Sequence, residues 1–424
     1  MERQYKNSGI EWIGRIPETW EVTKLNTLYT QRIEKVSDKD YPPLSVTMQG
    51  ILPQLENAAK TNNGDDRKLV RVGDFAINSR SDRRGSCGIS PYEGSVSLIN
   101  TILKPRNVMN PRYYNWLFHS SLFSDEFYKW GHGIVDDLWT TRWQEMRNIT
   151  VPSPTLEIQQ QIADYLDEKC GEIDSLIGLQ EQMIEKLKAY KQSVITEAVT
   201  KGLNPNAKLV SSGIDWIGEI PEGWRACRIK NVASLFGRIG FRGYTSDDLN
   251  KDGEGAITLS PSNMKEMVMD YSSVTYLSWR KYHESPEIMI QNGDLLMVKT
   301  GSSYGKVSYV DNLPKEATIN PQILRIVPHI SSKYLVYYLQ TPLFLYQVGC
   351  GVVGGTIPTI AQEKIYNFAV ILPPDNEQQA IASYLDGKCS EIDKLIAVKQ
   401  QKIEKLKDYK KSVIYEAVTG KTIV

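Results

Sequence analysis

The chain has 424 residues, more than one ordinary domain, with 41% apolar and 24% charged residues, a profile that excludes an intrinsically disordered polypeptide. Fifty basic side chains are cancelled by fifty acidic ones, so any contact with a polyanion rests on local clustering and not on net charge. The opening MERQYKNSG lacks the apolar run of a secretory signal and the five cysteines form no close pair, which points to a cytoplasmic protein with no membrane partner.

In chain order the first distinctive stretch is SGIEWIGRIPETW at residues 8–20. It returns at 212–224 as SGIDWIGEIPEGW, with ten of thirteen positions identical. A second match sets residues 159–200 against 378–419, with 29 of 42 identical. The offsets are 204 and 219 residues, so the intervening segment is fifteen residues longer in the second copy. Such self-similarity marks a duplicated architecture. The expected domains are a globule over 1–154, a long helix over 155–203, a second globule over 204–374 and a second long helix over 375–424.

Within the globules, β-formers cluster in stretches such as AITLS, DLLMVK and KVSYV between Gly, Asn and Ser turns. Helical patterning fits 111–129 and 332–347. The fold class is therefore α/β in the broad sense (α+β), with sheet-rich globules. The uncharged stretch 334–353 contains Gln340, Pro342, Gln347, Gly349 and Gly351, and its counterpart carries Asp125, Glu126 and Lys129, so it reads as buried core and not as a membrane span.

Aligning the copies places VGDFAINSRSDRRGSCGIS over NGDLLMVKTGSSYGKVSYV. Gly73, Asp74 and Gly85 fall on Gly293, Asp294 and Gly305, which keeps a strand, loop and strand frame. The loop interior changes: Ser79, Arg80, Asp82, Arg83, Arg84 and Ser86 in one copy become Lys299, Thr300, Ser302, Ser303, Tyr304 and Lys306 in the other. Arg and Lys suit phosphates and guanine edges, while Ser and Thr bond phosphates and bases, so two heads for two DNA targets fit this pattern. A variable, solvated hairpin is the alternative. Arg142 and Trp143 in the first copy, and Arg238, Arg242 and Tyr244 in the second, are further, weaker candidates.

The long segments keep heptad spacing at Leu166, Ile173, Leu187 and Val194. Leu176, Met183 and Tyr190 are assigned to the other seam position, and Ile177, Ile184 and Ala198 widen the stripe. Leu385, Ile392, Leu395, Ile396, Ile403, Leu406, Tyr409 and Val413 repeat the pattern. Acidic residues crowd the first half of the first segment and lysines its second, which complements the helix dipole.

Searches for chemistry find no phosphate loop, no His-Glu-x-x-His and no recognisable metal set, and Cys170 and Cys389 read as packing residues. Asp294 with Lys299 lacks the acidic partner of a nuclease site, since Met297 stands where one is needed. No catalytic residue, cofactor or metal is assigned.

Taken together, the IPETW and IPEGW entries, a Gly-Asp before a strand in each globule, the Pro-rich exits into Gln159–Asp167 and Gln378–Asp386, and the duplicated helix make the whole chain resemble the DNA-specificity subunit of Type I restriction-modification systems. The resemblance implies two target-recognition domains reading a split site on double-stranded DNA, joined by two antiparallel helices. It implies partners too: two modification subunits carrying S-adenosylmethionine chemistry on adenine, with restriction subunits adding translocation and cleavage. Because the loops differ, the site is expected to be asymmetric. The competing readings are a coiled-coil scaffold and a self-contained restriction or methylation enzyme.

Overall fold

The strand Phe75–Asn78 is buried along its whole length because its alternating side chains enter two different cores. Phe75 and Ile77 face an aromatic cluster with Phe118 and Phe123, while Ala76 packs with Leu44, Val46, Ile51, Val70 and Val96. The counterpart Leu295–Val298 behaves alike: Leu295 and Met297 face one cluster, Leu296 and Val298 another.

The computed structural model describes residues 4–54, 64–80, 83–106, 109–133, 139–238, 240, 243–250, 253–353 and 357–422. It divides into two units, Met1–Gln182 with Lys399–Val424, and Met183–Val398. Each unit holds one globule and the adjoining parts of both long helices.

In the first unit an antiparallel sheet has the order Cys87–Ile89, Phe75–Asn78, Asn100–Pro105, Tyr29–Arg32. In the second unit the order is Val307–Tyr309, Leu295–Val298, Ile323–Pro328, Ala233–Gly237. A second sheet covers the other face in each, three-stranded in the first unit. In the second unit it has four strands, including a parallel pair between Ala256–Leu259 and Ala317–Ile319.

The helical stretch expected over 111–129 is two helices, Pro111–Phe118 and Ser121–Lys129. Ser120 ends the first by returning its hydroxyl to the Leu117 carbonyl, and accepts from the Phe123 N–H to cap the second. Thr341 does the same between Ser332–Tyr338 and Pro342–Gly351. No helix among the described residues is long and apolar enough to cross a membrane.

The long helices run Leu156–Lys201 and Asp375–Val418, 46 and 44 residues. The first is about 69 Å long at about 1.5 Å per residue. In the first unit, Ile162, Leu166 and Cys170 pack in one core with Val413, Ala417 and Val418. In the second, Ile195, Ala198 and Val199 share a core with Ile381, Leu385 and Cys389. The helices therefore run in opposite chain directions.

The globules grip these helices through equivalent bonds. Tyr113 donates to the Val418 carbonyl at 2.8 Å, and Tyr334 to that of Val199 at 3.2 Å. Buried Gln159 accepts from the Asn110 N–H and donates to the Pro154 carbonyl, both at 2.7 Å, while Gln378 bridges Ser331 and Pro373 in the same way. The repeated Gln-Gln motif is thus a hinge-pin between helix and globule.

One part of the heptad assignment is corrected. The buried seam follows Leu166, Cys170, Ile173, Gln180 and Ile184, whereas Leu176, Met183 and Tyr190 are 43%, 43% and 56% exposed. Leu395 and Tyr409 are likewise 51% exposed. Each helix therefore carries a second apolar stripe that faces outward.

At the root of each sheet lies a buried ion pair. Arg32 donates to Asp74 at 2.6 and 3.1 Å, and Arg325 to Asp294 at 2.7 Å. The guanidinium arrives from different strands: Arg32 lies across from Ile102, and Phe236 lies across from Arg325. Replacing Arg325 by Leu should strand the Asp294 carboxylate and lower stability by about 3–5 kcal/mol. The double change F236R/R325I, which copies the first unit, should recover most of that loss in denaturant unfolding.

Candidate nucleic-acid interface

Each hairpin turns on its Gly-Asp pair. Gly73 and Gly293 have φ of 87° and 96°, and the following carboxylates accept from the N–H groups of Arg71 and Gln291 at 2.9 and 2.7 Å. At the far end Gly305 has φ 84°, and a Cβ there would lie 2.8 Å from Val348 Cγ1, so the returning chain passes against the helix Pro342–Gly351. The flank is also duplicated. Thr141 donates its N–H to the Ser79 carbonyl and Ile360 to that of Lys299, each at 2.9 Å.

On this common frame the side chains diverge. Arg80, Arg83 and Arg84 are exposed. The Arg84 guanidinium lies 3.7 Å from the Tyr128 ring centroid and its Nη1 is 3.4 Å from Asp125, so the helix Ser121–Lys129 holds it in one orientation. Ser79 and Ser86 are buried, and the Ser79 hydroxyl bonds Thr101 at 3.0 Å. They support the loop and present nothing to a ligand.

In the second hairpin Ser302, Ser303 and Tyr304 are exposed, while Lys299, Thr300 and Lys306 are half-buried. Thr300 accepts from the Thr359 hydroxyl at 3.4 Å. The Lys299 ammonium sits over Gly237, where a Cβ would approach it to 3.2 Å, and burial lowers its pKa from the ordinary lysine value. No carboxylate pairs with it among the described residues.

The remaining candidates fall differently. Arg142 is exposed, with its N–H donating to Glu145 at 2.9 Å at the start of a short helix. Arg238 is corrected: it is 6% exposed, donates to the Ile319 carbonyl and Thr318 hydroxyl at 3.1 Å, and lies 5.1 Å from the Tyr244 ring centroid. It is a packing arginine, buried because those carbonyl and hydroxyl acceptors lie beside it. Tyr244 is half-buried beneath it, and Arg242 lies outside the described residues.

Sequence reasoning passed over Asn78, Tyr128 and Trp139, which line a cleft behind the first hairpin. It has room for about 20 Å³, on the order of one water, so it is a packed support and not a ligand pocket. Asp294, committed to Arg325 and backbone, is not available as a metal ligand. No cluster of metal-binding side chains occurs among the described residues.

Residues 221–408, spanning the second hairpin and much of the second helix, match the family model described as the Type I restriction modification DNA specificity domain. Across the whole length, the Type I restriction enzyme MjaVIII specificity subunit of Methanocaldococcus jannaschii is 25% identical, over 96% of this chain and 94% of that one. Residues 221–408 thus carry the Type I DNA specificity domain, and the chain is similar to Type I specificity subunits along its whole length. Two solved structures share the fold. A chain from a study of complex assembly and conformational transition in the type I R-M system gives a TM-score of 0.72 at 15% identity, covering 96% of this chain and 99% of that one. The HsdS subunit from Thermoanaerobacter tengcongensis gives 0.52 at 17%, covering 96% and 98%.

The half-buried charge of Lys299 gives this chain a measurable signature. Lys299→Met should raise the thermal midpoint at neutral pH by removing a desolvated ammonium. Because the folded-state pKa is lowered, the cost is full below that pKa and fades as pH rises toward the unfolded value of about 10.4. The advantage of the variant should therefore shrink across that alkaline window, as followed by thermal unfolding against pH. A constant difference between the two proteins would contradict the assignment.

Proposed function

We propose that this chain is a specificity subunit, a non-catalytic reader of double-stranded DNA, in which the two hairpins recognise different halves of an asymmetric bipartite site. The observation that carries this reading is the pair of equivalent hydrogen-bonded frames with different exposed tips: three arginines in one, and serines, a tyrosine and half-buried lysines in the other. Guanidinium groups suit guanine edges and phosphates, while hydroxyls and an ammonium suit a different base pattern. The frame fixes where a side chain is presented, and the tip decides which bases satisfy it.

Chemistry is assigned to partners. Two modification subunits, bringing S-adenosylmethionine, methylate adenine at the recognised site, and restriction subunits add translocation and cleavage. Support for two equivalent docking places comes from the outward stripes on the helices, since Leu176, Leu179 and Tyr190 are matched by Leu395, Val398 and Tyr409, all exposed. Like surfaces on a duplicated element take like partners.

Replacing Arg80, Arg83 and Arg84 by Ala should relax one half-site, each lost base contact costing about 1–3 kcal/mol, whereas lost phosphate contacts mainly flatten the salt dependence. Replacing Lys299, Tyr304 and Lys306 should relax the other half. The measurement is sequencing of methylated adenines in cells that supply the modification subunit. Equal damage to both halves by either set would show that the hairpins are not separate readers.

A further inference from the structure

Away from the hairpins, the second unit differs from the first in charge. The strand Arg225–Arg228 and the turn Ile229–Asn231 border an open groove of about 930 Å³. Arg225, Arg228 and Lys230 are exposed along it, and no acidic side chain lines it among the described residues. Arg228 donates to the neutral Asn367 amide oxygen at 3.0 Å, which leaves its charge uncompensated. At the rim, Trp216 and Tyr346 are 37% and 61% exposed, with ring centroids 6.2 Å apart.

The same backbone in the first unit is built otherwise. Glu21, Lys24 and Asn26 take the places of Arg225, Arg228 and Lys230, and Asp125 and Glu126 those of Tyr346 and Gln347. Trp12, the counterpart of Trp216, is 8% exposed and packs edge-on against Phe123 at 6.1 Å. Three cations and two open aromatic faces in one unit thus replace a single lysine among three carboxylates in the other. Sheet packing does not require the exchange, since both sets sit on the same strand pairing.

We propose that this groove binds unpaired nucleic acid, with phosphates on Arg225, Arg228 and Lys230 and a base stacked on the Trp216 and Tyr346 rings. A basic groove beside aromatic faces is the arrangement that holds single strands. A duplex, whose base faces are already covered, gives the rings nothing to stack on. The groove shares no residue with the hairpin and belongs to the second unit alone.

The test uses the full chain and a fluorescent oligothymidylate, with anisotropy followed against salt. Three phosphate contacts at about 0.7 each give a log–log salt slope near −2. R225E/K230N, which installs the residues that the first unit carries on the same backbone, should bind at least tenfold more weakly with a slope flatter by about 1.4. Trp216→Ala should lose about tenfold with its slope unchanged. The methylated DNA motif should stay as in the wild type, which separates this site from half-site reading. Wild-type affinity and slope in R225E/K230N, or a changed methylated motif in either variant, would overturn the proposal.

Discussion

A carboxylate buried without a partner would cost more than a single domain can easily bear, and each globule places one at the root of its hairpin, answered by one guanidinium. Asp74 and Asp294 also accept from the backbone N–H three residues earlier, so the same side chain closes the turn and anchors the first residue of the central strand. With the root fixed twice over, and the central strand buried on both faces, the sheet asks little of the hairpin tip. Residues 79–86 and 299–306 are thereby free to differ. The migration of the arginine from Arg32 on one strand to Arg325 on its neighbour shows that the ion pair is kept while the residue supplying it is not.

The long helices depend on a similar economy. Their first halves are acidic and their second halves rich in lysine, so opposed chain directions bring unlike charges together. Lys410 meets Asp174 and Lys191 meets Asp393, each at 2.7 Å, through the same pair of repeat positions used reciprocally. Such partly exposed pairs are worth only about 0–1 kcal/mol apiece, so the apolar seam supplies the stability while the charges select the direction. Burial pushes the Cys170 thiol up to about 11, which fits a seam residue and not a nucleophile. Tyr113 and Tyr334 then fix each globule to the end of the helix that belongs to the other repeat.

Much of this was legible in the residues. The duplication, the unbroken long helices and the hairpin frame follow from identity, heptad spacing and aligned glycines. The exposed stripe escapes a sequence reading because Leu176, Met183 and Tyr190 share the spacing of the buried row, and periodicity alone cannot say which of two stripes meets a helix and which meets solvent. The break at Ser120 and Thr341 is set by capping, which apolar periodicity running through both helices conceals in the sequence. Arg238 looked like a loop cation because its acceptors, Thr318 and Ile319, lie some eighty positions along the chain. The basic groove was invisible for the same reason, since Trp216, Arg225 and Tyr346 meet only through the fold.

The central claim is that the hairpin tip carries the half-site and the root does not. It is tested most directly by grafting residues 79–86 in place of 299–306, so that both units present the first tip on their own roots. Sequencing of methylated adenines in cells carrying this graft and the modification subunit should show the first unit's half-site appearing twice, with the original second half-site gone. An unchanged second half-site in an active graft would contradict the account and place recognition outside the hairpins.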